Sequence, residues 1–273
     1  MSHGLRGTGI ERMIVKSSIE AQETRRRALS DGTPFYHTTF IGQNRIMREA
    51  LGMSGEPVLA PGELYPMAFL VEQDPGTVVR AHFHRSDQWQ VVIGGSGHLA
   101  SHPVGPVTLH YTNAHSAYGP IKAGSEGVAY FTLRNGWDPG ARYMPEGRTD
   151  LRAAADRVHR EAVADPEPPV EAAALANTRE TGCRAVIPPA EDGVGAWRYT
   201  LAPGGRITGP DPATGAGQYW LVLRGTLEQP GNAPEAAPLP ARSLLFVAPD
   251  DAALAPIAGP GGAEIVALQF PRR

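Results

Sequence analysis

Short runs of apolar and β-branched residues, each bounded by turn-forming residues, recur along most of the chain. Eight runs stand out in two groups of four: MAFLVEQ, QWQVVIG, PVTLHYT and GVAYFTLR, then WRYTLAP, QYWLVLRG, SLLFVAP and EIVALQF. Runs of this length between Gly, Pro, Asn and Asp are typical of β-strands. The pattern therefore predicts an all-β chain built as two barrels or two sandwiches.

Helices are predicted only outside these two groups. SSIEAQETRRRALSD and QNRIMREALGMSG favour short helices near the start of the chain. Between the groups, Thr149 or Asp150 would cap an Ala-rich helix that the DPEPP stretch ends. We therefore divide the chain into an N-terminal extension, a first barrel, a partly helical linker and a second barrel, with the ranges 1–60, 61–147, 148–182 and 183–273.

The two groups of strands resemble each other, which indicates a duplicated domain. QWQVVIGG from Gln88 matches QYWLVLRG from Gln218, and AYGPIKAGSEGVAYFTLR matches ALAPIAGPGGAEIVALQF with one residue deleted. The copies differ in chemistry, because no histidine lies between Thr178 and Arg273. A histidine-based metal site is therefore excluded from the second copy.

Composition excludes several classes of function. The chain has 273 residues, a formal net charge of -3 and 25 Lys and Arg that form no basic stripe, so nothing favours nucleic acid or an anionic membrane as a partner. A single cysteine, Cys183, excludes an intramolecular disulfide and a thiolate zinc cluster. Since the sequence has neither a signal-peptide core nor an apolar run of about 18 residues, we expect a cytoplasmic protein.

His82 and His84 are the strongest candidates for chemistry. Residues i and i+2 of a strand point to the same face, so both imidazoles would project side by side. Inside a barrel they would need hydrogen bonds or a metal ion, and neutral imidazole is a common ligand of Zn, Fe, Ni and Cu. The other interpretation is that they lie on the outer face or are held by hydrogen bonds alone.

The segment GTVVRAHFHRSDQWQVVIGG, from Gly76 to Gly95, resembles the first motif of the cupin superfamily. His82, His84 and both glycines stand at the family's spacing, while Gln88 replaces the family's glutamate. With the duplication, the resemblance implies two tandem jelly-roll antiparallel barrels with short N-terminal and linker helices. It also implies one divalent metal ion, held by His82 and His84, in the first barrel.

The family's second motif is matched less well, by LHYTNAHSAYGP. Tyr118 stands at the place of the family's last histidine ligand, and His115 stands at the place of a glycine. Tyr118, His115 and His110 are therefore three alternatives for completing the metal site, of which Tyr118 is favoured. Gln88 is a weaker ligand than glutamate and cannot act as a general base. Gln218 is the equivalent glutamine in the copy that has no histidines. The other interpretation of Gln88 is therefore a structural role in the barrel that is unrelated to a metal ion.

Alternation along the strands gives the candidates for substrate binding, although a slip of one residue would exchange the two faces. Gln90 is one of them, and Arg80 and Arg134 are suited to binding a carboxylate through two hydrogen bonds. Either arginine would otherwise be a solvated residue at a strand end.

The resemblance implies a metal-dependent enzyme that acts on a small, carboxylate-bearing molecule, with Tyr118 and Gln88 as candidate catalytic residues. An iron-dependent dioxygenase is the favoured reaction class, and Zn, Ni or Mn with isomerase or lyase chemistry is the alternative. A non-catalytic, ligand-binding or sensory bicupin is the alternative from another class, since the fold hosts many functions. We also expect a homodimer.

Overall fold

The computed structural model describes residues 13–22, 26–30, 33–53, 55–154, 158–230 and 236–272. Antiparallel strands dominate, as the sequence predicts, and the all-β prediction is confirmed. The strands are β1 Ile14–Lys16, β2 Arg26–Ser30, β3 Thr33–Ile41, β4 Met67–Gln73, β5 Val78–Val79, β6 His82–Phe83, β7 Gln88–Leu99, β8 His102–Val104, β9 Leu109–Thr112, β10 Ile121–Arg134, β11 Arg142–Tyr143, β12 Glu161–Ala164, β13 Gly182–Ile187, β14 Gly195–Leu201, β15 Gln218–Leu227, β16 Leu239–Pro240, β17 Leu244–Val247 and β18 Ala258–Gln269. The helices are α1 Ser18–Gln22, α2 Arg45–Ala50, α3 Arg148–Ala153 and α4 Ala172–Ala176, with one 3₁₀ turn at Pro212–Thr214.

Two large sheets form the two barrels. The first sheet has nine strands, in the order β12-β9-β7-β10-β4-β3-β2, with β5 beside β10 and β8 beside β7. The second has seven, in the order β1-β17-β15-β18-β14-β13, with β16 beside β15. A separate two-stranded sheet pairs β6 with β11 beside the first barrel. All eight predicted apolar runs contribute to these strands.

The barrels pack against each other through a shared apolar core. In β7, Trp89 and Val91 face this core, whereas Val92 belongs to the interior of the first barrel. In β15, Tyr219 faces the shared core and Trp220 the interior of the second barrel. Both faces of these strands are therefore buried, which explains why their sequences are apolar without a clean alternation.

Matched hydrogen bonds join the two barrels. The Trp89 indole Nε1 donates to the Gln269 carbonyl at 3.2 Å, and the Tyr219 hydroxyl donates to the Arg134 carbonyl at 3.0 Å. Trp89 and Tyr219 are equivalent in the duplicated sequence. The contact is thus nearly symmetric, and it fixes the backbone at the end of β10 against the second barrel.

Equivalent glycines also mark the duplication. Gly95 and Gly225 have φ values of +67° and +75°, where residues with a side chain are strained. A Cβ on Gly95 would lie 2.1 Å from the Gly127 carbonyl oxygen, and one on Gly225 would lie 2.1 Å from that of Gly262. Both copies therefore need glycine where the long strands bend.

The segments outside the barrels contain more strand than the sequence indicated. The first predicted helix is reduced to α1, because β2 follows it, and residues 23–25 lie outside the described part of the chain. β1 pairs with β17 of the second sheet, while β3 pairs with β4 of the first. The predicted extension thus contacts both barrels and covers part of the first.

The linker is partly helical and partly extended. Its β12 pairs with β9 of the first sheet, and residues 155–157 lie outside the description. Arg198 and Glu264, a buried ion pair of the second barrel, bind the backbone of the linker near Pro168 and Val170. Among the described residues, no helix has the length and apolar character needed to cross a membrane.

Candidate functional site

A cavity of about 590 Å³ lies in the first barrel. This volume falls within the range of roughly 300–1,000 Å³ that is usual for small-molecule sites. Its lining is contributed by the barrel strands, by β11 and by the N-terminal extension, and comprises Phe35, His37, Asn44, Arg45, Phe69, Val71, Val79, His82, His84, Gln90, Tyr118, Tyr130, Thr132, Arg134, Asp138, Pro139, Gly140, Ala141, Arg142 and Tyr143.

His82 and His84 lie side by side on the floor of this cavity. The two residues are 4% and 7% exposed, and their ring centroids are 5.1 Å apart. Backbone hydrogen bonds fix the segment, since the His82 and Tyr118 amides each donate to the other residue's carbonyl and the His115 amide donates to the His84 carbonyl. The structure thus places both imidazoles inside the barrel.

Hydrogen bonds set the same tautomer in both histidines. His82 Nδ1 lies 2.7 Å from the Arg80 carbonyl oxygen, and His84 Nδ1 lies 2.8 Å from an Asp138 carboxylate oxygen. Because both partners are acceptors, Nδ1 carries the proton in each ring. Each Nε2 therefore presents its lone pair on the cavity side, as in metal-binding histidines held by an outer carbonyl or carboxylate.

Both imidazoles are neutral at neutral pH. Burial, with a smaller effect of His84, lowers the pKa of His82 to about 3. Burial and the nearby Arg134 guanidinium lower the pKa of His84. Neutral imidazole is the form that binds metal ions.

Tyr118 and Gln88 adjoin the His82 ring. The Tyr118 hydroxyl is 2.8 Å from His82 Nε2, to which it donates, and it accepts a hydrogen bond from Gln88 Nε2 at 2.6 Å. Burial raises the pKa of the Tyr118 phenol above its ordinary value, so the hydroxyl stays protonated. Four side chains at the positions of the two motifs thus converge on one place.

Arg134, predicted as a possible substrate-binding residue, lies in the middle of this group. Its Nη2 is 3.0 Å from His84 Nε2 and 3.1 Å from Gln88 Oε1. Its Nη1 donates to Asp138 Oδ1 at 3.2 Å, and the guanidinium stands 5.4 Å from the Phe69 ring centroid. The side chain is only 4% exposed. A cation of the protein itself therefore occupies the floor of the cavity.

Asp138 is the buried carboxylate that the sequence reasoning missed. Burial opposes its ionisation, but His84, Arg134 and hydrogen bonds outweigh burial and hold the pKa of Asp138 below its ordinary value. The Arg85 and Gly140 amides complete its hydrogen bonds, at 2.7 Å and 2.8 Å. The signal in the sequence was weak: one aspartate in a turn four residues after Arg134.

The extension supplies a further part of the cavity that was not predicted. The His37 ring stacks on Phe69 with centroids 4.5 Å apart, and its Nε2 is 3.1 Å from Asn44 Nδ2. Arg45 follows at the start of α2. Residues before the first barrel therefore help to shape the cavity.

Three predicted residues have side-chain contacts other than the histidine pair itself. His110 is buried in the first barrel with its ring centroid 5.1 Å from that of Tyr118, and its ring nitrogens contact Gln90 Oε1 at 2.8 Å and Glu161 Oε1 at 2.9 Å. His115 is not among the residues lining the cavity, and its ring lies 6.1 Å from that of Phe83. Arg80 is not among the lining residues: its guanidinium pairs with Glu146 at 3.0 Å and lies 4.9 Å from the ring centroid of Tyr143.

Gln90 and Gln88 are both placed near the cavity. Gln90 lines it and, through His110, connects it to the linker strand β12. Gln88 is fully buried beneath it, bound to Tyr118 and Arg134.

The side chains fit a divalent ion on two conditions. In favour of the ion, both imidazoles are neutral, with Nδ1 fixed and Nε2 directed inward, and an amide and a phenol oxygen adjoin them. The described residues contain no group of three His, Cys, Asp or Glu that could hold a metal ion. Arg134 Nη2 donates to His84 Nε2 and the Tyr118 hydroxyl donates to His82 Nε2. The guanidinium must therefore leave His84, and the hydroxyl must turn its proton away from His82, before an ion can bind both nitrogens.

Comparisons with known proteins identify the fold. No family model and no curated protein matches the sequence. The structure is similar to a candidate dioxygenase from Nostoc punctiforme PCC 73102, with a TM-score of 0.59, 11% identity and coverage of 94% of this chain and 82% of that one.

Two further neighbours are metal-binding proteins. Pirin YhhW of Escherichia coli, in complex with nickel(II), matches with a TM-score of 0.52, 11% identity and coverage of 96% of this chain and 100% of that one. Oxalate decarboxylase of Bacillus subtilis, which has Mn(II) centres, matches with a TM-score of 0.52, 12% identity and coverage of 98% and 79%. At 11% to 12% identity, these likenesses show the fold alone: the chain shares its fold with these proteins and forms two barrels in one polypeptide.

Proposed function

We propose that the first barrel is the active site of a metal-dependent cupin enzyme that acts on a small, carboxylate-bearing molecule. The observation that carries the proposal is the pair of neutral imidazoles, His82 and His84, whose Nε2 atoms face a cavity of about 590 Å³. The nickel and manganese of the two structural neighbours support a divalent metal ion as the cofactor.

His82 and His84 would hold the ion through Nε2, with the oxygens of Gln88 and Tyr118 beside them. A divalent ion bound there would supply Lewis acidity for polarising a substrate oxygen. Because none of the four side chains is anionic, they would neutralise none of its charge, which favours an anionic substrate.

The charge and shape of the cavity are consistent with such a substrate. Arg45, Arg134 and Arg142 line it, whereas Asp138 is the one acidic residue among the described residues of the lining. Apolar walls, of which Phe69 is part, would contact the carbon skeleton. A guanidinium binds a carboxylate through two parallel hydrogen bonds. The cavity is therefore suited to a small organic acid.

Among reaction classes, we propose an iron-dependent dioxygenase. Isomerases and lyases generally need a general base near the substrate. Gln88 replaces the acidic residue of the family's motif, and Tyr118 is held as a neutral phenol. Asp138 is saturated by hydrogen bonds from His84, Arg134 and backbone amides. A site poor in available bases favours oxidation over proton transfer, and the candidate dioxygenase among the neighbours supports the same class.

The test is to measure metal content and oxygen uptake of tag-free protein purified without added metal. We expect stoichiometric iron and substrate-dependent oxygen uptake with a member of a panel of small carboxylic acids. The double variant His82→Ala/His84→Ala should lose both. The matched control is His98→Ala/His102→Ala, because both of these histidines are exposed. Equal metal content in the two double variants would contradict the proposal.

A non-catalytic, ligand-binding barrel is the second candidate, and one observation favours it. Arg134 already uses the lone pair of His84 and the oxygen of Gln88. In this case the arginine would bind the carboxylate without a metal ion. Tight binding of a carboxylic acid by protein free of metal, without turnover, would favour this candidate.

We further propose that the protein is a homodimer. Sheets with free edges commonly pair between chains. Sedimentation as a monomer at micromolar concentration would contradict this.

A further inference from the structure

The Arg134 guanidinium, on the floor of the cavity, forms hydrogen bonds to two atoms that are candidate metal ligands, His84 Nε2 and Gln88 Oε1. We infer that this guanidinium is an internal cation that competes with a divalent ion for His84 and Gln88, so that the protein binds metal only when Arg134 moves away. This inference rests on the proposed function, because it assumes that the histidine pair can hold a metal ion.

At His84, the guanidinium and a metal ion would need the same ring nitrogen. Its Nδ1 is fixed by Asp138 at 2.8 Å, so the ring presents Nε2, and only Nε2, on the cavity side. Arg134 Nη2 lies 3.0 Å from this atom. A neutral imidazole has one available lone pair, which can accept from the guanidinium or bind a metal ion, but not both. Binding is therefore mutually exclusive at this nitrogen.

At Gln88, the amide oxygen is already hydrogen-bonded to Arg134. Its Oε1 accepts from Arg134 Nη2 at 3.1 Å and from Nε at 3.3 Å, while its Nε2 donates to Tyr118. The amide oxygen is the atom of Gln88 suited to a metal ion, and the arginine already uses it. One guanidinium thus holds two of the candidate ligand atoms.

The positive charge of Arg134 also opposes binding of a metal ion at His84. Arginine stays protonated under all ordinary conditions, so Arg134 cannot leave His84 by losing a proton. Asp138 lies 3.2 Å from Nη1 and holds the charged group in the barrel. A metal ion at His84 would be placed next to this positive charge with few charged groups to screen it. The guanidinium therefore has to shift before the ion is accommodated.

The second barrel shows that the scaffold does not require arginine here. Gln88 is the strand partner of Arg134, and Gln218 is likewise the partner of Gln269. In the second barrel the two amides simply hydrogen-bond, at 2.7 Å between Gln218 Nε2 and Gln269 Oε1. Arginine is thus found only in the copy that has histidines, and Arg134→Gln introduces a pair that this chain already contains.

The experiment is a titration of metal-free, tag-free protein with Co²⁺, followed by its visible absorption and by calorimetry. We expect Arg134→Gln to bind Co²⁺ about tenfold or more tightly than the wild type, because the competing charge is removed. Arg134→Lys, which keeps the charge but cannot form the same hydrogen bonds, should lie between them. Adding His84→Ala to Arg134→Gln should abolish the gain.

Arg80→Gln is the matched control. It removes a positive charge close to His82 in the chain, but this side chain is paired with Glu146 outside the cavity. Its Co²⁺ affinity should stay within about threefold of the wild type, since exposed charges are screened. Circular dichroism checks that each variant is folded. If Arg134→Gln does not fold, the Co²⁺ affinity of Arg134→Lys is compared with that of the wild type instead.

The outcomes separate this inference from the proposed function. One outcome is that wild type, Arg134→Gln and Arg134→Lys bind Co²⁺ with equal affinity and that His84→Ala abolishes binding. This result would contradict the inferred competition but would still support a metal site at the histidine pair. No binding by any variant would overturn both. A similar gain in Arg80→Gln would show a general effect of charge and would also overturn the competition.

Discussion

Arg134 and Gln269 are equivalent residues of the two barrels, each paired across two antiparallel strands with a matched glutamine. The glutamine partners Gln88 and Gln218 are both fully buried. In the second barrel the pair is neutral and the interior is filled by side chains such as Trp220. In the first barrel the arginine adjoins two histidines and an open cavity. One duplicated scaffold has thus produced a structural barrel and a barrel with a polar site.

Placing a glutamate at position 88 should strengthen metal binding. The substitution Gln88→Glu introduces an anionic oxygen ligand beside His82 and His84, and it partly neutralises Arg134. We expect Co²⁺ to bind about tenfold more tightly, as an added charge inside a barrel is only weakly screened. Calorimetric titration of metal-free protein checks this.

Gln218→Glu is the control for that experiment. It places the same carboxylate at the equivalent position of a barrel without histidines, where Gln218 donates to Gln269 and to the Pro210 carbonyl. It should lower the melting temperature without changing Co²⁺ affinity. If both variants bound the ion equally well, the first barrel would not be the metal site.

Removing the Tyr118 hydroxyl should destabilise the metal-free protein. The hydroxyl donates to His82 Nε2 and accepts from Gln88 Nε2, and both partners are buried. Leaving them without a partner in Tyr118→Phe should lower the free energy of unfolding by about 1–3 kcal/mol. Urea denaturation measures the loss.

Tyr130→Phe provides the comparison, because the Tyr130 hydroxyl accepts one hydrogen bond, from Gln73 Nε2 at 3.1 Å. Its loss of stability should be smaller. A larger loss for Tyr130→Phe than for Tyr118→Phe would contradict the hydrogen-bond network described around His82.

The stability of the metal-free protein should fall in mild acid. The pKa of His82 is lowered to about 3 from an ordinary value of 6.5 in the unfolded chain. Between these values the unfolded state binds more protons than the folded one, so the free energy of unfolding decreases as the pH falls from about 6.5 toward 3. Above about pH 6.5 this effect is absent.

Unfolding of the wild type and of His82→Asn by urea at several pH values tests this. The slope for the variant should be shallower by about 1.4 kcal/mol per pH unit, the effect of one proton. His98→Asn, at an exposed position, should retain the wild-type slope. Identical slopes for His82→Asn and the wild type would show that His82 is not held neutral by burial.

The fold was largely predictable because its information is local. The eight apolar runs each form part of a strand, and the matched glutamines and glycines indicated the duplication before any contact was known. The pairing of β1 with the second sheet was not predictable, since Ile14 and its partner Phe246 are far apart in the chain. No local pattern specifies such a contact.

The site was predictable only in part, for the same reason. The spacing of His82 and His84 predicted neighbouring rings, and the structure places them so. Asp138 and Arg134 reach these rings from the end of β10 and the turn after it, which no spacing rule relates to the histidines. His110 lies inside the barrel as its position in a strand predicts, but no local pattern indicated that Glu161 of the linker would bind its Nε2.

X-ray absorption spectroscopy of the protein loaded with one equivalent of Co²⁺ or Fe²⁺ tests most directly whether the histidine pair of the first barrel holds a metal ion. The account predicts two imidazole ligands per ion in the wild type, with the remaining ligands being oxygen, and loss of the imidazole scattering in His82→Ala/His84→Ala. An ion without imidazole ligands, or an unchanged spectrum in the double variant, would contradict it.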